Sequence, residues 1–164
     1  MKENLSAFDI SVLSRELTGE LAGYYVDNVY QINPLTLLIK LNSPGASAKQ
    51  LLIEAGKRVH ITRYQSSIPQ QPSQFCRALR KILANGKVID VRQEGFERIL
   101  TILIGKAGNF RLTVELFARG NILVLDDGGI VLRALSYRRT RERSIILNEK
   151  YLFPTSKGLE PRQV

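Results

Sequence analysis

What most limits the fold of this chain is the shortness of the links between its strand-like runs. Tyr25–Ile32 and Thr36–Leu41 flank the turn pair Asn33-Pro34, and Gly56-Lys57 separates Lys49–Ala55 from Arg58–Thr62. Asp126-Asp127-Gly128-Gly129, a strong hairpin signal, joins Asn121–Leu125 to Ile130–Leu135. Parallel neighbours need a crossover of about a dozen residues or more, so these runs are expected to pair antiparallel. Further runs lie at Lys87–Gln93, Arg98–Gly105 and Phe110–Leu116, with a short one at Ile145–Leu147.

Side-chain alternation assigns faces to these strands. In Lys87–Gln93 it puts Val88 and Asp90 on one face, Ile89 and Val91 on the other. In Phe110–Leu116 it turns Leu112, Val114 and Leu116 inward and Arg111, Thr113 and Glu115 outward. The run Ile99–Ile104 is apolar on both faces, which predicts a central strand covered on both sides.

Two stretches have helical spacing instead. Ser6-Ala7-Phe8-Asp9 fits a capping box, followed by Ile10, Leu13, Leu17 and Leu21 on one stripe, with Gly23 as the stop. Asp9 is therefore either a cap or a functional acid. Phe75, Leu79, Ile82 and Leu83 mark a second helix, whose other sides carry Arg77, Arg80 and Lys81 and which Asn85-Gly86 ends. The expected fold is α+β: about eight to ten mostly antiparallel strands in a sandwich or pseudobarrel, capped by two main α-helices. Gln65–Gln74 reads as a linker inside the domain. Residues 1–150 form one domain on this reading, and 151–164, without periodicity, a linker of a longer protein.

Composition narrows the function classes. The chain has one cysteine, Cys76, and one histidine, His60, so an internal disulfide is excluded and a zinc site would need carboxylates. Both residues read as structural. No Gly-rich phosphate loop and no G-x-S-x-G elbow occurs, and base–nucleophile pairings are scarce. Asp126-Asp127 reads as a turn rather than a metal site. A noncatalytic protein without cofactor or metal is expected. No apolar run approaches the roughly 20 residues that span a bilayer, and no secretory signal is evident, so a cytoplasmic location without membrane partners is expected.

Charge points to a partner. Twenty-four Lys and Arg against fifteen Asp and Glu give a net charge of +9. That excess favours a polyanion, nucleic acid before an acidic protein or a membrane surface. Arg133, Arg138, Arg139, Arg141 and Arg143 fall within eleven residues, with Tyr137 among them. Guanidinium groups pair with phosphate and stack on bases, and the aromatic supplies a stacking face. Arg77, Arg80, Lys81 and Lys87 form a second basic group, weaker because helices commonly carry exposed Arg and Lys. At the predicted Gly95–Arg98 hairpin tip, Glu97 and Arg98 form an acid–base pair. Arg engages phosphate or a base edge, and a carboxylate accepts from a base amine or ribose hydroxyl. Spacing alone also allows an ordinary surface pair.

Three stretches resemble the N-terminal domain of the NFACT family, tRNA-binding ribosome quality-control factors often labelled fibronectin-binding proteins in archaea and bacteria. They are SAFDISVLSRELTGELAGYYVDNVYQ, FCRALRKILANGKVIDVRQEGFERIL, and ELFARGNILVLDD with the later YRRTRER. They follow the family's order and span nearly the whole chain. The resemblance implies a helix-capped pseudobarrel like the N-terminal domain of formamidopyrimidine-type DNA glycosylases. It also implies a fragment of a longer protein that binds the large ribosomal subunit carrying a stalled nascent chain. Such proteins recruit tRNA for C-terminal tailing without mRNA. The family's tRNA-binding acid–Arg pair falls on Glu97 and Arg98, and its early Asp on Asp9. Glu97 departs from the more usual Asp, adding one methylene of reach. A glycosylase's catalytic proline is missing, since Lys2 and Glu3 follow the initiator Met. The alternatives are a matrix-protein adhesion domain or a glycosylase-like nucleic-acid binder.

Overall fold

The computed structural model describes residues 5–152 apart from Phe96 and Glu142. The first helix, α1 (Ala7–Leu21), starts from Ser6, whose hydroxyl accepts from the Asp9 amide at 3.1 Å. The Asp9 carboxylate accepts from the Ser6 amide at 2.9 Å, completing the capping box. Its buried stripe is Ile10, Ser14, Leu17 and Leu21. Ser14 takes the place expected for Leu13, because its hydroxyl finds an acceptor within the helix, the Ser11 carbonyl at 2.8 Å. Leu13 is half-buried against the same core. The second helix, α2 (Gln74–Leu83), is capped by Ser73 and buries Cys76, Leu79 and Leu83. Asn85, in the left-handed region at φ 66°, turns the chain out of it.

Between and after the helices run β1 (Tyr25–Asn33), β2 (Thr36–Asn42), β3 (Lys49–Glu54), β4 (Arg58–Thr62), β5 (Lys87–Gln93) and β6 (Ile99–Gly105). Then come β7 (Asn109–Glu115), β8 (Asn121–Leu125) and β9 (Val131–Ala134). All nine form one antiparallel sheet in the order β4-β3-β2-β1-β5-β6-β7-β8-β9. A separate ribbon pairs β10 (Arg138–Arg139) with β11 (Ser144–Ile145). The α+β class, the two helices and the antiparallel pairing agree with the sequence reading. β6 is interior, with Ile99, Leu100, Ile102 and Ile104 buried.

Three expectations are corrected. The sheet is open: its edge strands β4 and β9 share no ladder, so no pseudobarrel is closed by strand pairing. The sheet curls instead, and packing bridges part of the gap. The Gly56 amide, in the β3–β4 turn, donates to the Glu115 carbonyl at 3.0 Å. Helix α2 touches both β1 and the far edge strand β9.

The second correction concerns β5. A register shift between Val88 and Asp90 inserts Ile89 as a bulge, so Val88 and Val91 are both buried and Ile89 is exposed. The third concerns β7, where Thr113 and Glu115, expected outside, are each 1% exposed. The reverse side of β8 and β9 carries a second apolar cluster, built of Leu123, Leu125, Val131, Ala134, Ile145 and Tyr151. The segment leading to Tyr151 thus covers a surface that alternation alone leaves in solvent.

Candidate nucleic-acid interface

The β5–β6 turn is held from three directions. Its own ladder closes it, with the Glu94 amide donating to the Ile99 carbonyl at 3.0 Å and the Glu97 amide to the Glu94 carbonyl at 3.1 Å. From just past the end of β7, the Leu116 amide donates to the Arg98 carbonyl at 2.9 Å. From α1, the link is Gln93. Its amide nitrogen donates at 2.8 Å both to the Ala7 carbonyl and to the Glu97 carbonyl. One side chain therefore clamps the first turn of α1 against the turn bearing Glu97 and Arg98.

Asp9, Glu97 and Arg98 thus share one corner of the molecule, and all three are half-buried. Asp9 also caps its helix, so the structural alternative weighed for it from sequence is realised. Next to it, Phe8 is 68% exposed, an aromatic that sequence reasoning passed over because it breaks the apolar stripe. Gln93 was equally invisible: a glutamine at a strand end announces nothing about a helix so far away in sequence.

The basic residues divide between two fates. Arg77 and Lys81, one turn apart on α2, line a cleft of about 920 Å³ whose other wall carries Arg133, Arg138 and Arg139. Two groups that are far apart in sequence are thus joined across one groove. Arg133 belongs there although it sits on a strand apart from the dense Arg run; its outward place on β9 meets α2 only because the sheet curls.

Within the groove Arg133 donates to the Leu132 carbonyl at 2.9 Å and Arg138 to the Gly120 carbonyl at 3.4 Å. Of the remaining basic residues, two are tied to other elements of the fold. Arg80 donates to the Val29 carbonyl at 2.7 Å and lies over the Tyr30 ring at 5.1 Å, which ties α2 to β1. Arg143 pairs with the buried Glu115 carboxylate and donates to the Leu152 carbonyl at 2.8 Å. Arg141 is exposed outside this groove. Phosphate contact by Arg80 or Arg143 would require these internal bonds to be shared or broken.

No cluster of three metal-ligating side chains exists among the described residues. Cys76 is buried, its thiol 3.1 Å from the Val29 carbonyl. Burial, with the Arg58 charge in second place, lowers the His60 pKa. Asp126 accepts from the Gly128 and Ile130 amides at 2.9 Å, the turn expected from sequence. Among the described residues no helix is long and apolar enough to cross a membrane.

Comparison with known proteins agrees with this architecture. Residues 6–164 match the family model described as NFACT N-terminal and middle domains. The human ribosome quality control complex subunit NEMF is 31% identical over 98% of this chain, and the chain covers 15% of that protein. The archaeal Rqc2 homolog aRqcH of Methanocaldococcus jannaschii is also 31% identical over 98% of the chain, which covers 25% of it. In three dimensions the chain resembles the N-terminal domain of the fibronectin-binding protein PavA from Streptococcus pneumoniae. The TM-score is 0.82 at 22% identity, over 96% of this chain and 66% of that one. At that identity the likeness is one of fold. The chain spans about a quarter or less of the length of these two curated relatives. With the family model matched from residue 6 to residue 164 and the antiparallel fold in agreement, the chain belongs to the NFACT family.

Proposed function

We propose that this chain is a noncatalytic tRNA-binding module of a cytoplasmic, ribosome-associated quality-control factor. The whole protein binds the large subunit carrying a stalled nascent chain and recruits tRNA for C-terminal tailing without mRNA. The observation that carries this reading is the Gln93 clamp, which gathers an early acid and an acid–Arg pair at one corner. Relatives named as ribosome quality control subunits support it, as does the net charge of +9. At that corner Arg98 makes the specific RNA contact, Glu97 accepts from a base amine or ribose hydroxyl, and Asp9 fixes the helix start beside them. Preorganisation matters because ordering a loop on binding subtracts from affinity.

Arg98→Ala is expected to weaken tRNA binding by about 1–3 kcal/mol, the range for a lost bidentate contact. Filter binding of bulk tRNA to the wild type, Arg98→Ala and Glu97→Ala measures this. Unchanged affinity in both variants removes the pair from the interface. The name of a solved structure that this chain resembles, a fibronectin-binding protein, suggests matrix adhesion as a second reading. Saturable fibronectin binding without tRNA binding would put that reading first.

A further inference from the structure

We propose that the groove between α2 and the β9–β10 segment is a second nucleic-acid site, one that takes an unpaired RNA strand. Its five cations are Arg77, Lys81, Arg133, Arg138 and Arg139, and no described residue lining the groove is acidic. Among the described residues none of the five forms an ion pair. Arg77 and Lys81 at i and i+4 repel each other mildly on the helix, a cost that a polyanion lying between the walls removes.

The second observation is Tyr137. Its hydroxyl accepts from the Ala134 amide at 3.1 Å, which fixes the ring, yet the residue is 48% exposed at the groove. A pinned aromatic among cations is a stacking platform, and stacking needs a base that is out of a helix. The groove's volume, about 920 Å³, lies at the upper end of the range of about 300–1,000 Å³ for small-ligand sites. That suits a run of nucleotides better than a lone phosphate. Half-buried Ile146 and exposed Leu147, which also line the groove, give bases, not phosphates, something to cover. The choice of RNA over DNA rests on the tRNA reading above; the single-strand preference rests on the groove.

The test is fluorescence anisotropy of the 164-residue chain with a short labelled oligoadenylate, alone or annealed to oligouridylate. The single strand is expected to bind more tightly than the duplex. Tyr137→Ala should weaken it about fivefold or more, the loss of one base stack. Tyr137→Phe, which keeps the ring and loses the Ala134 hydrogen bond, should retain most of the affinity. Arg139→Ala alters an exposed side chain, so it remains informative if Tyr137→Ala fails to fold. It should weaken binding and flatten the log–log salt dependence by about 0.7, one phosphate contact. Oligoadenylate binding that ignores both alanine variants, or equal binding of duplex and single strand, overturns the proposal. Arg98→Ala separates the two sites: it should reduce tRNA binding and leave oligoadenylate binding intact. If it spares both, the corner assignment fails and the groove stands; if it abolishes both, the groove is not a separate site.

Discussion

Gln93 and the Ala7 carbonyl are 86 positions apart, and a single hydrogen bond places them in contact. The two carbonyls it serves belong to different elements, so its removal unties α1 from the β5–β6 turn. Gln93→Leu is expected to cost about 1–3 kcal/mol of stability, the net worth of two hydrogen bonds at about 0.5–1.5 kcal/mol each. It should also weaken tRNA binding although Gln93 carries no charge. Chemical denaturation and tRNA titration of one preparation check both halves; stability loss with unchanged tRNA affinity would separate the clamp from binding. At this scale the sequence was an uneven guide. Ser6 and Asp9 follow a local rule and are legible as a cap, whereas Gln93 acts only through tertiary placement. The resemblance, not the spacing, singled out Glu97 and Arg98.

β7 shows what strand periodicity conveys and what it misses. Leu112, Val114 and Leu116 are buried as their spacing dictates. Glu115 is buried too, because Tyr151 and Arg143 arrive from the far end of the domain to cover it. The Tyr151 hydroxyl donates to its carboxylate at 2.6 Å, and Arg143 neutralises it. No alternation rule foresees a distant segment laid across the outer face of a strand. Arg143→Met leaves a buried carboxylate without its cation and is expected to cost about 3–5 kcal/mol. Tyr151→Phe, which removes one hydrogen bond, should cost about 1–3 kcal/mol. Urea titrations of the two variants check the order. Burial, and after it the Glu115 charge, pushes the Tyr151 pKa up in the folded state. Folding therefore favours the protonated phenol. That contribution is complete below the unfolded value of about 10 and is lost as the pH rises beyond it. A melting temperature that falls above about pH 10 in the wild type, and less steeply in Tyr151→Phe, is the expected result.

For the molecule as a whole, hairpin-length links give the antiparallel pairing of consecutive strands, since short links leave neighbours little choice. The β1–β5 pair that joins the two runs of hairpins follows no such link. Short links also do not fix how far a sheet coils, which side chains and turns decide after pairing. The barrel-like expectation therefore failed on closure while holding on class. The groove was hidden for the same reason: its two basic walls meet only once the sheet has curled around α2.

Two glycines mark where that curl is locked. Gly120 has φ +79°, and a Cβ there would lie 1.9 Å from the Gly56 amide nitrogen. The contact joins turns separated by most of the sheet, so chain entropy must be surrendered before it yields anything. It belongs among the last events of folding. A late contact is nearly absent from the transition state, so weakening it accelerates escape from the native state and barely delays return. Gly120→Ala is expected to destabilise by about 3 kcal/mol or more. In stopped-flow chevrons the change should fall almost wholly on the unfolding limb. The Gly56–Gly120 contact thereby sets how long a folded molecule lasts, not how soon one forms.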